Sequence, residues 1–324
     1  MKLYICATYY HVYITLLKQL KEKQDADLVI CDDMAAGEAL ADRLKPTGLF
    51  RKVWFVRQSE LPEVRGKSRL DWVLFQHRRR YRALQPLLPF VLSDYSDVYI
   101  FHDATPLGMY LADARKPYHL LEDSLNFYQR IRETPQARYI EKNTLKYRLR
   151  RRLDSGYFPL GASRWVIDVE VNENRNLQVE LPRVIECPRG LLQDGLSWRE
   201  KQMILDVFGC KQFGYNEKNT ALVLTEPLFI DGAVCDEEAQ LAIYRDIVAL
   251  LKEKGYQALI KPHPRDRTDY TVLGVYIVER QFPAELLEYM DQRFGCAVTV
   301  SSSTLDTIQA KKRFRWKSGE LFEV

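Results

Sequence analysis

The chain has 324 residues and a mass of 38.1 kDa, with 46% hydrophobic and 28% charged residues and a formal net charge of +4. This balance excludes a disordered or fibrous protein, and the length exceeds what one hydrophobic core usually supports, so we expect two domains. The sequence has no uninterrupted apolar run of about 18 residues and no small-residue cleavage site after the first apolar stretch. We therefore expect neither a transmembrane span nor a secretion signal, and a cytoplasmic location.

Short apolar runs alternate with amphipathic stretches in the first part of the chain. The expected strands are 3–7, 27–31, 53–56, 98–101 and 118–121. The expected helices, in which apolar residues return every three or four positions, are 12–22, 35–44 and 70–84. Strands that alternate with helices predict a parallel sheet with helices on both faces.

The same pattern restarts in the last third of the chain. The expected strands are 220–224, 258–261, 275–278 and 297–300, and the expected helices are 237–254, 284–293 and 305–312. Because the stretch 211–219 is polar and rich in turn residues, we place the domain boundary there, giving domains 1–210 and 211–324. The predicted fold is therefore α/β of the GT-B kind, with two doubly wound Rossmann-like domains facing each other across a cleft.

Two clusters of basic residues stand out from the modest net charge. One contains Arg78, Arg79, Arg80 and Arg82, and the other lies in segment 146–152. Such clusters form either solvated helix faces or contacts with anionic surfaces, and both interpretations stay open. The second would hold the protein peripherally on the inner face of a membrane through 146–152. Nucleic acid is not expected as a partner, because no nucleic-acid-binding motif accompanies the charge.

The segment YQALIKPHPRD contains His263 between Pro262 and Pro264, directly after an apolar strand. The two prolines restrict the backbone on both sides of this histidine. An imidazole held at the carboxyl end of a strand suits general acid catalysis, because it titrates near physiological pH. The alternative is a surface loop that the prolines make rigid.

Four hydroxyl residues follow another apolar strand in CAVTVSSSTLDTI. Ser301–Thr304 stand where a helix is expected to begin, and hydroxyl and backbone N–H groups at such a place bind anions, so a phosphate site is predicted. Simple capping of the helix is the alternative.

A pair of carboxylates, Glu122 and Asp123, ends the strand in KPYHLLEDSLNFYQR. One of them, facing His263 from the opposite domain, would take a proton from a hydroxyl group of a substrate. The alternative is an ordinary acidic cap for the following helix.

Five segments together resemble the bacterial lipooligosaccharide sialyltransferases of glycosyltransferase family 52. They are LYICATYYH, the pair Glu122 and Asp123, IKPHP, FPAEL and SSST. Family members carry an acidic-acidic-glycine motif, a His-Pro motif and a Ser-Ser or Ser-Thr motif. The resemblance implies an inverting transferase that moves sialic acid or a related sugar from a CMP-activated donor to a hydroxyl of a surface polysaccharide or lipooligosaccharide.

The resemblance also implies roles for individual residues. Asp123 would be the general base on the acceptor, and His263 would protonate or hydrogen-bond the departing cytidylate phosphate. Residues implied in nucleotide binding are Lys261, Pro264, Glu285, Ser301, Ser302, Ser303 and Thr304. Residues implied on the acceptor side or in the cleft are Thr8, Tyr9, His11, Glu122 and Ser124. The resemblance further implies that no metal or other cofactor is used. Consistently, Asp25 and Asp27 form an Asp-x-Asp that precedes a strand and is expected to be a turn.

One position departs from the family pattern, because Ser124 stands where the family has glycine after the acidic pair. This leaves the acceptor and the donor sugar open, and makes Asp231, which precedes Gly232, the reserve candidate for the base. Two other functions stay open: a CDP-polyol phosphotransferase of the teichoic-acid type, and a non-catalytic GT-B scaffold. The sequence leaves both a monomer and a homodimer open.

Overall fold

The computed structural model describes residues 1–62, 81–133, 159–215 and 217–324. The chain divides into two compact units, Met1–Leu196 and Ser197–Val324. Each unit is built on one mainly parallel sheet with helices in its connections. The predicted α/β class with two Rossmann-like domains is confirmed, whereas their arrangement across a cleft stays a prediction.

The first unit contains a seven-stranded sheet in which every paired neighbour is parallel. Its strands are β1 (Lys2–Cys6), β2 (Ala26–Cys31), β3 (Lys52–Val56), β4 (Asp97–Ile100), β5 (Tyr118–Leu121), β6 (Val166–Val171) and β7 (Val184–Glu186). Their order is β3-β2-β1-β4-β5-β6-β7. The strand order reverses between β1 and β4, the place where ligands bind in open sheets of this type.

The helices of the first unit are α1 (Tyr9–Glu22), α2 (Gly37–Leu44), α3 (Pro106–Asp113), α4 (Phe127–Arg130) and α5 (Arg189–Gln193). Its short 3-10 helices are Lys45–Thr47, Gln58–Glu60, Gln85–Leu87, Leu92–Asp94 and Ile131–Glu133. All six residues of β2 are buried. Continuous burial is typical of a parallel strand covered on both faces, which explains why apolar runs rather than alternation marked these strands.

The second unit contains a six-stranded sheet in the order β10-β9-β8-β11-β12-β13. Its strands are β8 (Thr220–Leu224), β9 (Gln257–Lys261), β10 (Tyr276–Ile277), β11 (Phe294–Thr299), β12 (Ala310–Lys317) and β13 (Glu320–Glu323). Its helices are α6 (Trp198–Phe208) and α7 (Glu237–Glu253), with 3-10 helices Glu217–Asn219, Thr271–Leu273, Ala284–Leu287 and Ser303–Thr307. Only β12 and β13 pair in antiparallel fashion among the described strands.

All nine expected strands are present, with ends shifted by a few residues. Two helix predictions in the second unit differ from the structure. The region 284–293 has only the 3-10 turn Ala284–Leu287, and the prediction for 305–312 is wrong, because Ser303–Thr307 is followed by strand β12. Phe314 and Trp316 recur every second residue there, which is the strand period, and β12 pairs with the buried β11. Most of 70–84 lies outside the described residues.

The division between the units falls earlier than the expected 210/211 boundary. Helix α6 belongs to the second unit, and it begins with a capping box in which Ser197 and Glu200 bond each other's backbone N–H groups. It ends at Gly209 in the left-handed conformation, immediately before the turn-rich stretch that suggested the boundary. The turn-rich stretch therefore marks the end of helix α6, whereas the boundary between the two compact units lies before the start of that helix.

Within the described residues, no helix combines the length and apolar character needed to cross a bilayer. The basic residues Arg78, Arg79 and Arg80 and the segment 146–152 lie outside the described residues.

Helix α3 generates a stability prediction, because a Cβ atom added at Gly108 would lie 2.3 Å from the backbone oxygen of Asp103. Gly108→Ala is expected to lower the free energy of unfolding by about 1 to 3 kcal/mol, since backbone atoms must move. Gly190→Ala in α5 is the matched control, because nothing lies within 4 Å of the added atom. Urea denaturation compares the two variants, and equal effects would contradict the clash.

Candidate functional site

Three loops of the second unit leave the same edge of its sheet. Strand β8 lies between β9 and β11, and all three run parallel. The residues that follow them are therefore neighbours: Thr225 and Glu226 after β8, His263 after β9, and Ser301–Thr304 after β11. This edge brings together the His-Pro segment and the hydroxyl run that the sequence singled out.

The dipeptide Thr225–Glu226 holds the other two loops. The Thr225 hydroxyl oxygen accepts a hydrogen bond of 3.1 Å from the His263 backbone N–H. Oε1 of Glu226 accepts from the backbone N–H groups of Ser301, at 3.0 Å, and Ser302, at 2.6 Å. The Thr299 hydroxyl also donates to Oε1, and the Tyr244 hydroxyl donates to Oε2 at 3.1 Å. Thr225 and Glu226 therefore anchor both the loop after β9 and the loop after β11.

The hydroxyl run makes hydrogen bonds within the protein, and its role as a phosphate site stays a prediction. Its first two backbone N–H groups already bind Glu226, and the Ser302 hydroxyl oxygen accepts from the Thr304 backbone N–H at 3.2 Å. Ser302 thus caps the 3-10 helix Ser303–Thr307. The Ser302 hydroxyl also has a hydrogen, which can donate while the oxygen accepts.

His263 is half-buried, and its tautomer follows from its contacts. Nδ1 accepts a 3.1 Å hydrogen bond from the Arg265 backbone N–H, so the ring hydrogen lies on Nε2. Burial, together with the positive charges of Arg265 and Lys261, lowers the pKa of His263 from 6.5 to about 3. The imidazole is therefore neutral at physiological pH in the free protein, contrary to the expectation of near-neutral titration, and it offers an Nε2–H donor.

Lys261 is buried at the start of this loop, and the half-buried Glu285 interacts with its charge. Nζ of Lys261 donates to the carbonyl oxygens of Pro262, at 3.0 Å, and Arg280, at 3.2 Å, and lies 4.4 Å from the centre of the Phe282 ring. Burial lowers the pKa of Lys261 to about 7. Burial also raises the pKa of Glu285, although the Lys261 charge and the Thr304 hydroxyl oppose that shift. Glu285 therefore interacts with Lys261 and with Thr304, two other residues predicted for the nucleotide site.

Asp231 lies in the second unit and is paired with Arg265. Two hydrogen bonds of 3.1 Å join the guanidinium group to the two carboxylate oxygens. This bidentate pair orients the partly exposed carboxylate of Asp231, and it joins Asp231 to the loop that carries His263, two residues before Arg265. Pro264, between these residues, is half-buried.

In the first unit, Asp123 contacts His11. Strands β1, β4 and β5 are neighbours, so the start of α1 lies beside the residues that follow β5. Nε2 of His11 lies 3.0 Å from both the carbonyl oxygen and Oδ1 of Asp123. The Thr8 hydroxyl accepts from the His11 backbone N–H and caps α1. Among the residues expected on the acceptor side, His11 therefore contacts Asp123, and Thr8 caps the helix that carries His11.

The other residues predicted for the acceptor side have different positions. Glu122 is fully buried, and its carboxylate accepts from the backbone N–H groups of Asn172, at 2.8 Å, and Tyr128, at 3.4 Å. Burial raises its pKa. Tyr9 is also buried, and its hydroxyl accepts from the Ala36 backbone N–H. Both side chains therefore bind protein backbone, and their assignment to the acceptor side or the cleft stays a prediction. Ser124 is half-buried beside Asp123.

Sequence reasoning missed Thr225 and Glu226. The signal was present, since a hydroxyl residue and a carboxylate follow the apolar run ALVL directly, as Glu122 and Asp123 follow β5. Their partners, however, are 38 and about 75 residues away along the chain. These residues become neighbours only because β8 lies between β9 and β11 in the sheet.

A family model describing glycosyltransferase family 52 matches residues 87–316, which is well over half of the chain. The chain belongs to glycosyltransferase family 52. The resemblance inferred from the motifs is therefore confirmed. The matched segment contains Asp123, Glu226, His263 and the hydroxyl run, and it excludes His11. Members of a glycosyltransferase family use a nucleotide-sugar donor and a glycan acceptor.

Other comparisons give weaker similarities. An uncharacterised protein of Haemophilus influenzae is 29% identical over 84 residues, covering 25% of this chain and 26% of the relative. The match thus spans about a quarter of the length of that curated relative. The UDP-GlcNAc 2-epimerase of Methanocaldococcus jannaschii with UDP-GlcNAc and UDP has a TM-score of 0.49 at 12% identity, over 95% of this chain and 81% of its own. Spinosyn rhamnosyltransferase SpnG with spinosyn aglycone has a TM-score of 0.46 at 12% identity, over 95% and 77%.

The contacts of Glu226 generate a second prediction. Glu226→Ala leaves the backbone N–H groups of Ser301 and Ser302 without their acceptor, so the free energy of unfolding is expected to fall by about 2 to 4 kcal/mol. Glu226→Gln retains one carbonyl oxygen and should lose less. Urea denaturation measures both, with Glu253→Ala on the exposed face of α7 as control. A loss in Glu226→Ala no larger than that of the control would contradict the bridging role.

The lowered pKa of His263 generates a prediction of pH dependence. Because its pKa is 6.5 in the unfolded chain and about 3 in the folded protein, unfolding takes up a proton between these values. The contribution of His263 to stability is complete above about pH 6.5 and declines as the pH falls towards 3. Wild type should therefore lose more stability than His263→Gln between pH 7 and pH 5 in urea denaturation. Parallel losses would contradict the lowered pKa.

Proposed function

We propose that the protein transfers sialic acid or a related sugar from a CMP-activated donor to a hydroxyl group of a surface glycan, with inversion and without a metal ion. Membership in glycosyltransferase family 52 supports the transfer of a sugar. The observation that carries the proposal is the arrangement of two loops at the carboxyl edge of the second sheet. Thr225 accepts from the backbone of His263, which offers its Nε2–H, and Glu226 accepts from the backbone of Ser302, which offers its hydroxyl.

The second unit would bind the nucleotide. The Nε2–H of His263 would donate to an oxygen of the departing phosphate, where negative charge develops as the bond to the sugar breaks. Because the free imidazole is neutral, it begins as a hydrogen-bond donor. The charge of the leaving phosphate favours the imidazolium form, so it makes His263 more basic only when the nucleotide is present. The hydroxyl of Ser302 would provide another donor.

The carboxyl of Glu285 would accept a hydrogen bond from the ribose or the base. Thr304 and Lys261 both interact with Glu285, so its carboxyl is already oriented before the nucleotide arrives. Preorganised polar groups lose less entropy when a ligand binds. Lys261 itself is occupied with the carbonyls of Pro262 and Arg280, which suits a supporting role in this loop.

The first unit would supply the base. Asp123 would take the proton of the acceptor hydroxyl as its oxygen bonds to the anomeric carbon, and the electron pair of the broken bond would pass to the phosphate oxygen. Attack from the face opposite the cytidylate inverts the anomeric centre. The side chain of Asp123 is 21% exposed, whereas Glu122 is buried, and this favours Asp123 within the acidic pair. Metal independence, peripheral membrane contact through 146–152, a cytoplasmic location and a homodimer stay predictions.

The decisive experiment measures release of cytidylate from CMP-sialic acid in the presence of a glycan acceptor. Asp123→Asn is expected to lower turnover by at least about 100-fold, because it removes the proton acceptor, while the affinity for cytidylate stays within about threefold of wild type. Asp231→Asn is the matched control and should keep turnover near the wild-type rate. Isothermal titration calorimetry gives the affinities.

Three outcomes would contradict this proposal. Loss of turnover in Asp231→Asn with normal turnover in Asp123→Asn would make Asp231 the base. Transfer of a phosphodiester from a CDP-polyol, in place of a sugar from the CMP donor, would indicate the teichoic-acid type of enzyme. Binding of cytidylate without turnover of either class of donor would indicate a non-catalytic scaffold.

A further inference from the structure

We propose that Asp266 is a positioning residue, which holds His263 in the orientation in which its Nε2–H can donate to the departing phosphate. The inference rests on the role proposed for His263, and it is independent of which carboxylate acts as the base. Asp266 lies three residues after His263 in the same loop, and only 1% of its surface is exposed.

The backbone of Asp266 closes a tight turn on His263. Its N–H donates to the His263 carbonyl oxygen at 2.9 Å. Inside this turn, the backbone N–H of Arg265 donates to Nδ1 of the His263 ring at 3.1 Å. A ring nitrogen that accepts an N–H carries no hydrogen of its own, so the turn places the ring hydrogen on Nε2. The ring therefore keeps this tautomer only while the turn keeps its shape.

The side chain of Asp266 fixes the other end of the same turn through Thr225. The Thr225 hydroxyl donates its hydrogen to Oδ2 of Asp266, and its oxygen accepts from the His263 backbone N–H at 3.1 Å. A hydroxyl group can rotate, so its donor and acceptor directions depend on its partners. Because Asp266 takes the hydrogen, a lone pair of the Thr225 oxygen is left for the His263 N–H. Asp266 thus acts on both the amide side and the carbonyl side of His263.

The carboxylate of Asp266 accepts hydrogen bonds on both of its oxygens. Oδ1 accepts from Nε2 of Gln240 at 2.9 Å and from the Thr268 backbone N–H at 3.0 Å. Oδ2 accepts from the hydroxyl groups of Thr225 and Tyr270, the latter at 2.7 Å. These donors match the roughly four lone-pair positions of an ionised carboxylate, which has no hydrogen to donate. A buried carboxylate that is bonded in this way does not meet a substrate, so Asp266 acts through the loop that it holds.

Gln240 connects the same carboxylate to the loop after β8. Oε1 of this buried residue of α7 accepts from the Phe229 backbone N–H at 2.8 Å, so Nε2 is the end that faces Asp266. The loop that contains Phe229 continues to Asp231, whose carboxylate binds the guanidinium group of Arg265. A buried network and a partly exposed ion pair therefore join the loops after β8 and β9.

This arrangement predicts an effect on the chemical step. A hydrogen-bond donor that is oriented before charge develops stabilises that charge without reorganisation. If Asp266 no longer holds the turn, the Nε2–H of His263 samples other directions, and the departing phosphate is stabilised less. The loss should therefore appear in kcat, whereas the affinity for the donor changes little.

The first experiment measures release of cytidylate from CMP-sialic acid with a glycan acceptor. Asp266→Asn keeps the volume and replaces one accepting oxygen by an NH2 group that donates. It is expected to lower kcat by about 10- to 100-fold, with the donor KM within about threefold of wild type. Asp269→Asn is the matched control and should keep the wild-type kcat, because this exposed carboxylate of the same segment accepts from Thr271.

Thr225 provides a second pair of variants. Thr225→Val removes the hydroxyl group with little change in volume, so the His263 N–H loses its acceptor and kcat should fall by a similar factor. Thr225→Ser keeps the hydroxyl group and should recover most of that loss. Thr225→Val combined with Asp266→Asn should be about as slow as the slower single variant, because both substitutions break the same hydrogen-bonded unit.

Other kinetic results would overturn the inference. A wild-type kcat in Asp266→Asn, with only a lowered melting temperature, would mean that Asp266 serves stability alone. Equal losses in Thr225→Ser and Thr225→Val would mean that the hydroxyl bond does not orient His263. Losses that multiply in the double variant would mean two separate effects. Failure of the proposed function is distinguishable from these results, since wild type itself would then release no cytidylate.

Nitrogen-15 spectra test the geometry without a donor. Wild type should show the His263 ring as the neutral tautomer with its hydrogen on Nε2, and His263→Gln assigns the signal by its disappearance. Asp266→Asn and Thr225→Val should give a mixture of both tautomers, because the Arg265 N–H no longer stays on Nδ1, whereas Asp269→Asn should not change the spectrum. If Asp266→Asn does not fold, the two Thr225 variants provide the comparison. An unchanged tautomer in the folded variants would overturn the inference, whether or not the transferase activity is as proposed.

Discussion

The carboxylate of Glu226 is the contact on which the carboxyl edge of the second sheet depends. It accepts from two consecutive backbone N–H groups of the loop after β11, while its neighbour Thr225 accepts from the backbone of His263 after β9. Burial raises the pKa of Glu226, and the surrounding donors oppose that shift. The Glu226 carboxylate therefore satisfies backbone N–H groups that would otherwise need water or a ligand. The loops that carry the candidate nucleotide-binding residues are thereby held in place by the protein itself.

The first sheet uses a buried carboxylate in a similar way. Glu122, after β5, accepts from backbone N–H groups of two later segments, and burial raises its pKa as well. The residue beside it, Asp123, is more exposed and contacts His11. In both sheets, one carboxylate at a strand end organises the neighbouring loops by accepting hydrogen bonds from backbone N–H groups. Adjacent acidic residues need not share one role, because a single peptide unit is enough to turn one inward and the next outward.

Elements buried on both faces of a sheet were the easiest to predict. The strands β2, β8 and β11 are buried over their whole length, as is typical of parallel strands covered on both faces, and the expected strands correspond to them. The first residues of β12 fell within the expected helix 305–312, and the strand is defined by its pairing with β11. His263, Asp123 and Ser301–Thr304 were singled out as candidates because prolines, paired carboxylates and repeated hydroxyls follow expected strands, and their roles stay predictions.

By itself, the sequence determined the alternation of strands and helices, the two-domain α/β class and the segments that carry the family motifs. These features are local, since they depend on the order and spacing of neighbouring residues. Only the tertiary structure decided that Glu226 occupies the amides of the hydroxyl run, that His263 is neutral, and that His11 bonds Asp123 across 112 residues of chain. Those features depend on which strands are neighbours and on how far each group is removed from water, and strand order and burial are properties of the folded chain as a whole.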